Sequence, residues 1–99
     1  MHRAIEPPVD LEIDPAARSA SLGGDTIHLT PTEFDLLSFL AARPEVVFPR
    51  DRLLAELWGY RDGAAGRTVD SHVRALRRKL RPELIRTVHG VGYAFQRPT

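Results

Sequence analysis

The feature that most constrains the fold of this chain is its C-terminal third, where a helical apolar repeat leads directly into two short strands. Four apolar residues recur at the three- and four-residue spacing of one helix face: Val69, Val73, Leu76 and Leu80. Pro82 ends the predicted helix, which covers about residues 68–80. Segments 85–88 and 93–96 flank a turn whose glycines, at 90 and 92, are expected to supply positive φ angles. This pattern predicts a helix followed by a β-hairpin.

The N-terminal third has the pattern of a small antiparallel sheet. Apolar and acidic residues alternate over residues 9–13, as in a strand with one wet face, and residues 18–22 are a weaker candidate for its partner. Gly23-Gly24-Asp25 predicts a tight turn into a third strand at residues 26–29.

A helix start follows the predicted sheet. The Thr30 side chain can cap free backbone amides, Pro31 suits the first helical position, and Glu33 completes a capping box. The helix is expected to run to about Ala42, before Arg43-Pro44 stops it.

A second helix is predicted at about residues 50–58, after a short apolar connector at 46–48 and with Gly59 at its exit. Residues 60–66 are expected to form a flexible loop. Together the elements predict an α+β fold: a winged helix-turn-helix of three helices, with an N-terminal small antiparallel sheet and a C-terminal β-hairpin wing.

Length and composition limit the function classes. The 99 residues suffice for one domain, which we assign to residues 9–99, with residues 1–8 as a tail or linker. The absence of cysteine excludes disulfides and thiolate metal sites, and the four histidines lack metal-ligand spacing. No apolar run approaches the roughly 18 residues of a membrane span, and the N-terminus lacks a signal peptide. We therefore expect a cytoplasmic protein without a metal or other cofactor.

The net charge of +1 conceals a strong asymmetry along the chain. Residues 1–58 carry a balance of −5, whereas residues 59–99 carry +6. Such a distribution predicts one surface that repels polyanions and another that attracts them, although charged residues also commonly serve only as solvated faces.

The polar side of the C-terminal helix is basic. It presents Arg67, Ser71, Arg74 and Arg78, with Thr68 and Ala75 on one flank and Arg77 and Arg81 on the other. Such a face fits the major groove of B-DNA, where arginine contacts guanine in a bidentate manner or clamps phosphate. The alternative is a solvated basic helix that packs on its neighbours, and the helix alone does not separate the two.

The predicted hairpin favours the DNA-binding interpretation. Two antiparallel strands directly after a helix-turn-helix form a wing, whose turn would lie beside the DNA backbone and reach the adjacent minor groove. Thr87 and His89 can donate hydrogen bonds to phosphate or base edges, although a purely structural role for each is equally compatible with the sequence.

Five segments of the chain occur in a fixed order with short gaps. They are LTPTEFDLL at 29–37, RDRLL at 50–54, LWG at 57–59, RTVDSHV at 67–73 and TVHGVGY at 87–93. In this order they resemble the C-terminal DNA-binding domain of OmpR/PhoB-type response regulators, over about residues 9–96. The resemblance implies a winged helix-turn-helix with an extra N-terminal sheet, which binds direct repeats in promoter DNA as a tandem dimer and is a monomer in solution.

The resemblance also implies roles for individual residues. Phosphate contacts would come from Arg67 and Thr68 and, at the other end of the helix, from Arg77 and Arg78; base and backbone contacts would come from Ser71 and Arg74, and wing contacts from Thr87, His89 and Gly90. The loop after the second helix can touch RNA polymerase, commonly its sigma or alpha subunit, through Trp58, Gly59, Tyr60, Arg61 and Asp62.

Three positions depart from the family pattern. Ala75 stands where well-studied members have a base-reading arginine, and a methyl group can meet a thymine methyl but cannot read guanine. His89 replaces a frequent wing arginine, so wing affinity is expected to rise as acid protonates the imidazole. Pro49 stands where a Ser or Thr usually caps the second helix, and the missing cap should destabilise that end of the helix by about 1 kcal/mol.

Other interpretations remain open at the level of sequence. The acidic receiver domain through which a sensor kinase would act is absent from this chain, which is either an excised effector domain or a stand-alone regulator. The main alternative function is a winged-helix module for protein–protein contact without DNA binding. An enzyme is not expected, because no nucleophile elbow, phosphate loop or paired-carboxylate arrangement occurs.

Overall fold

The computed structural model describes residues 11–59 and 66–97. Over these ranges the chain forms β1 (Leu11–Asp14), β2 (Ser19–Leu22), β3 (Asp25–Ile27), α1 (Pro31–Ala41), β4 (Phe48–Pro49), α2 (Arg50–Leu57), α3 (Gly66–Lys79), a 3-10 turn (Pro82–Leu84), β5 (Ile85–Val88) and β6 (Gly92–Phe95). The predicted winged helix-turn-helix is confirmed. Within the described ranges, no helix is long and apolar enough to cross a membrane.

The N-terminal sheet is antiparallel in the order β1-β2-β3. Its second turn contains only Gly23 and Gly24, at φ angles of +61° and +90°, and Leu22 pairs with Asp25 across it. Positive φ at both positions matches the right-handed twist of the flanking strands, which explains the two glycines. The strands lie slightly off the predicted ranges, and the start of the first one, at Val9, lies outside the described residues.

The start of α1 has the predicted chemistry. The Thr30 hydroxyl accepts a hydrogen bond from the Glu33 amide at 3.1 Å, and the Glu33 carboxylate accepts one from the Thr30 amide at 3.0 Å. This reciprocal pair satisfies two amides that the helix itself leaves free. At α2 the capping residue Pro49 makes no side-chain hydrogen bond, in agreement with the sequence prediction.

The three helices meet on the apolar face of α3. Val69, Val73 and Leu76 are at most 1% exposed, as the helical periodicity predicted. The facing leucines of α1 and α2 are equally buried: Leu36, Leu37, Leu40 and Leu53. Because one side of α3 is completely buried in this core, only its opposite side is accessible for contact with a partner.

The second sheet has the order β4-β6-β5, and its β4 strand was missed by sequence reasoning, which treated residues 46–48 as a connector. Phe48 pairs with Tyr93 and Pro49 with Gly92. A Cβ added at Gly92 would overlap the backbone carbonyl of Phe48, so this glycine permits a close strand approach. The prediction of a positive φ angle at Gly92 is wrong; in the hairpin turn it is Gly90 that has one, at +80°.

Helix boundaries differ modestly from the predictions. Helix α3 begins at Gly66, within the segment predicted to be a loop, and ends at Lys79; α2 ends at Leu57. Exposed small residues carry little periodic signal, so sequence patterns place helix ends poorly. The rest of the predicted loop and the predicted tail at 1–8 lie outside the described residues.

Candidate nucleic-acid interface

The outward face of α3 carries the predicted polar residues. Ser71, Arg74 and Arg78 are exposed, while Thr68 and Ala75 are half-buried on the flank. Arg67 belongs to the first turn of the helix, but its side chain lies outside the described part of the chain. The buried stripe on the other side fixes this orientation, because rotating the helix would expose three fully buried apolar residues.

Lys79 is directed away from this face. Its ammonium group lies 2.6 Å from the Glu33 carboxylate and joins the end of α3 to the start of α1. Burial raises the pKa of Glu33, but hydrogen bonds from Lys79 and from the Thr30 amide outweigh this effect and lower the pKa below its ordinary value.

Arg77 differs from the exposed arginines because it points into the wing. Its guanidinium donates to the Ile85 carbonyl from Nε at 3.1 Å and from Nη2 at 2.6 Å. Nη2 also donates to the Thr87 hydroxyl at 2.7 Å, and the guanidinium lies over the Tyr93 ring at 5.8 Å. Arg77 and Thr87, both predicted DNA contacts, thus contact each other.

The tip of the wing is exposed. Val88 pairs with Gly92, so three residues form the turn, which closes through a 2.9 Å hydrogen bond from the Val91 amide to the Val88 carbonyl. His89 and Gly90 lie in this turn, and the Val91 side chain is 46% exposed. The tip therefore presents an imidazole, open backbone and one aliphatic group.

An acidic residue that sequence reasoning did not assign sits beside the basic face. Asp70 receives two hydrogen bonds from Arg50, at 2.8 and 3.2 Å, and one from the Tyr93 hydroxyl at 2.6 Å. Burial raises the pKa of Asp70, whereas the hydrogen bonds from Tyr93 and Arg50 lower it, and the balance lies below the ordinary value. The available signal was charge: Asp70 is the acidic residue of an otherwise basic helix.

A groove of about 630 Å³ separates the exposed face of α3 from the wing. Its lining combines three arginines with a carboxylate, an aromatic ring and two apolar residues: Asp70, Arg74, Arg77, Arg78, Leu80, Pro82 and Tyr93. Helix α3 and the wing strand β6 therefore border one basic concavity.

The predicted polymerase-contact residues fall only partly within the described ranges. Trp58 is half-buried against His72, with 5.3 Å between the ring centroids, and His72 Nδ1 lies 2.7 Å from the Thr68 carbonyl. Gly59 is exposed at a φ of +72°. The other three predicted residues, Tyr60, Arg61 and Asp62, lie outside the described residues.

Comparison with known proteins shows that this chain is similar to the C-terminal parts of transcriptional regulators. The family model described as "Transcriptional regulatory protein, C terminal" matches residues 24–95. The DNA-binding response regulator MtrA of Mycolicibacterium smegmatis is 48% identical over 89 residues, which cover 85% of this chain and 39% of MtrA. The transcriptional regulatory protein VxrB of Vibrio cholerae is 51% identical over 87 residues, or 88% of this chain and 36% of VxrB. The chain thus spans well under half the length of these curated relatives.

A solved structure supports the same assignment at the level of the fold. The RstA DNA-binding domain of Klebsiella pneumoniae, crystallised in complex with the RstA box, superposes with a TM-score of 0.82 at 36% identity. The match covers 96% of this chain and 98% of that domain, so the similarity extends over both sheets and all three helices.

Proposed function

Because the chain belongs to the family of transcriptional regulatory protein C-terminal domains, the DNA-binding effector domains of OmpR/PhoB-type response regulators, we propose that it binds promoter DNA with α3 in the major groove and the β5–β6 wing at the adjacent minor groove. The family consists of transcription regulators and not of enzymes, as the sequence indicated.

The observation that carries this geometry is the shared groove between α3 and the wing. Arg74 and Arg78 border it from the helix, and Tyr93 borders it from β6. A concavity with cations on its helical wall suits a DNA backbone that passes between the two grooves, because guanidinium groups match phosphate oxygens.

Exposure supports individual roles for three residues: Ser71 and Arg74 are proposed to reach base edges or nearby backbone, and Arg78 to bind phosphate. Phosphate contacts by Arg67 and Thr68 at the helix start are proposed from the family resemblance. His89 and Gly90 at the exposed wing tip are proposed to approach the minor groove. The half-buried methyl of Ala75 favours thymine over guanine at the position it faces.

Further partners are proposed from the family alone. Tandem binding to direct repeats would place two copies of the domain in line on the promoter, and the segment that begins at Trp58 and Gly59 would contact the sigma or alpha subunit of RNA polymerase. A sensor kinase would act only through a receiver domain of a longer protein.

The decisive experiment is selection of a preferred operator from random double-stranded DNA, followed by titration between roughly 50 and 200 mM salt. We expect the logarithm of the binding constant to fall with the logarithm of salt at about −0.9 per neutralised phosphate. Two enriched sites in direct repeat would support tandem binding. No enrichment, or a flat salt dependence, would contradict the proposal and favour a protein–protein module.

A further inference from the structure

We propose that Arg77, Tyr93 and Asp70 are positioning residues, which fix the wing against α3 so that helix and wing meet DNA as one rigid unit. The proposal rests on the proposed function. It gives Arg77 a role that differs from the phosphate contact implied by family resemblance, and it assigns roles to two residues that sequence reasoning left without one.

We call Arg77, Tyr93 and Asp70 together the clamp, and its first half holds β5. The Arg77 guanidinium donates hydrogen bonds from Nε and Nη2 to the Ile85 carbonyl and from Nη2 to the Thr87 hydroxyl, at 2.6 to 3.1 Å. Three hydrogen bonds in the plane of one guanidinium fix its orientation, which a point charge such as lysine cannot reproduce.

The second half holds β6. Tyr93 is only 6% exposed, and its hydroxyl donates a hydrogen bond to Asp70 Oδ1. The same oxygen also accepts a hydrogen bond from Arg50 Nε. The two halves join where Arg77 lies over the Tyr93 ring. The clamp therefore links both wing strands to α3, and α3 to the first residue of α2.

The position of the clamp along the hairpin explains its importance. At the base of the wing, Ile85 and Phe95 are buried in the core, and Arg77 holds the backbone there through the Ile85 carbonyl. The Thr87 hydroxyl extends the hold toward the tip, since only the Val88–Gly92 pair separates the Thr87–Tyr93 pair from the exposed turn. An unclamped tip would have to be ordered on binding, and that ordering costs affinity.

Two variants test the proposal with little risk to the fold. Tyr93→Phe removes only the hydroxyl and keeps the ring and the Arg50–Asp70 pair. Arg77→Lys keeps the charge but loses the planar donor set. Each should weaken operator binding about tenfold, the scale of one hydrogen bond to a charged group. The matched control is Arg43→Lys, the same exchange at an exposed arginine outside the predicted contact set, which should retain parental affinity.

Footprinting separates positioning from general loss of structure. With DNA saturated by either clamp variant, we expect hydroxyl-radical protection of the minor groove beside the wing to be lost. Protection of major-groove guanine N7 from methylation should persist. Equal loss in both grooves, or no loss in either, would overturn the proposal. So would parental affinity for Arg77→Lys, since a phosphate contact tolerates lysine.

A measurement on the free domain keeps the proposal independent of DNA. Amide hydrogen exchange in the wing turn, reported by the Val91 amide, should accelerate in Tyr93→Phe, while the amides of α1 keep parental rates. Unchanged wing exchange would refute the clamp. If the parent domain binds no DNA, the proposed function fails, and this exchange experiment still decides whether the clamp exists.

Discussion

At the scale of single residues, the arginines of α3 divide according to what they contact. Arg74 and Arg78 are exposed along the groove, whereas Arg77 is half-buried and donates to the wing. Arg77 therefore has a different role from identical side chains one and three positions away, because helix geometry directs it toward the wing. The chemistry of a residue type predicts its possible partners, and its neighbours select one of them.

Substitution of the exposed arginines should weaken DNA binding without affecting stability. Arg74→Ala is expected to cost about 1–3 kcal/mol of operator binding, and Arg78→Ala to reduce the salt slope by about 1. Titrations against the selected operator measure both quantities. Arg43→Ala removes a cation outside the predicted contact set and serves as the control. Parental affinity in both α3 variants would show that the helix face is misassigned.

A charge on the opposite face of α3 should unfold the domain. Val73 is 1% exposed, so Val73→Asp buries an unpaired carboxylate and should lower the free energy of unfolding by about 3 kcal/mol or more. Thermal and chemical denaturation followed by circular dichroism test this. Ser71→Asp, on the exposed face of the same helix, should keep a parental melting temperature while losing DNA affinity. A folded Val73→Asp variant would contradict the assigned core.

At the scale of elements, the wing depends on a strand from another part of the chain. β4 is only two residues long, yet it covers the inner edge of β6 through Phe48 and Pro49. It thereby connects the segment between α1 and α2 to the hairpin that is proposed to touch DNA. The wing is part of the domain core at its base and a surface element only at its tip.

The contact between β4 and β6 predicts an unusually costly glycine substitution. Gly92→Ala places a methyl group against the backbone of Phe48 and Pro49, which cannot rotate away as a side chain can. We expect a loss near the upper end of the ~1–3 kcal/mol typical of overpacking. Urea denaturation measures it. The control is Gly90→Ala, which has open space around the added methyl group and should lose only the stability that corresponds to the strain of its φ of +80°. A smaller loss of stability in Gly92→Ala than in Gly90→Ala would argue against the strand contact.

At the scale of the whole molecule, ion pairs connect the elements. Lys79 and Glu33 join α3 to α1, and Arg50 and Asp70 join α2 to α3. The charge asymmetry of the sequence therefore does not separate the domain into independent acidic and basic halves. Lys79 of the basic half pairs with Glu33 of the acidic half, and Asp70 of the basic half pairs with Arg50 of the acidic half. The exposed Arg74 and Arg78 line the groove beside the wing.

These pairs predict a stability that declines in acid. The pKa values of Glu33 and Asp70 lie below their ordinary 4.5 and 3.8 in the folded state, so the unfolded chain binds protons more readily. Their stabilisation is complete above those ordinary values and is lost as the pH falls through the lower folded pKa values. Urea unfolding between about pH 7 and pH 3 should show a weaker pH dependence in Glu33→Gln and Asp70→Asn than in the parent. Identical pH profiles would contradict the shifts.

Much of the fold was predictable because its signals are local. The capping box at Thr30 and Glu33, the Gly23-Gly24 turn and the apolar arc of α3 all depend on residues whose successive members lie at most four positions apart. The strand β4 was not predictable, because two residues carry no periodicity and pair with a segment more than forty positions away.

The candidate site divides in the same way. The sequence by itself determined the winged-helix class, the basic face of α3 and the family, since periodicity, charge and ordered motifs are written along the chain. Only the tertiary structure decided that Arg77 turns to Thr87 and that Asp70 joins Arg50 to Tyr93. Hydrogen-bond partners are selected by distance in space, and only the packing of the chain brings Asp70 to Arg50, 20 positions away, and to Tyr93, 23 positions away.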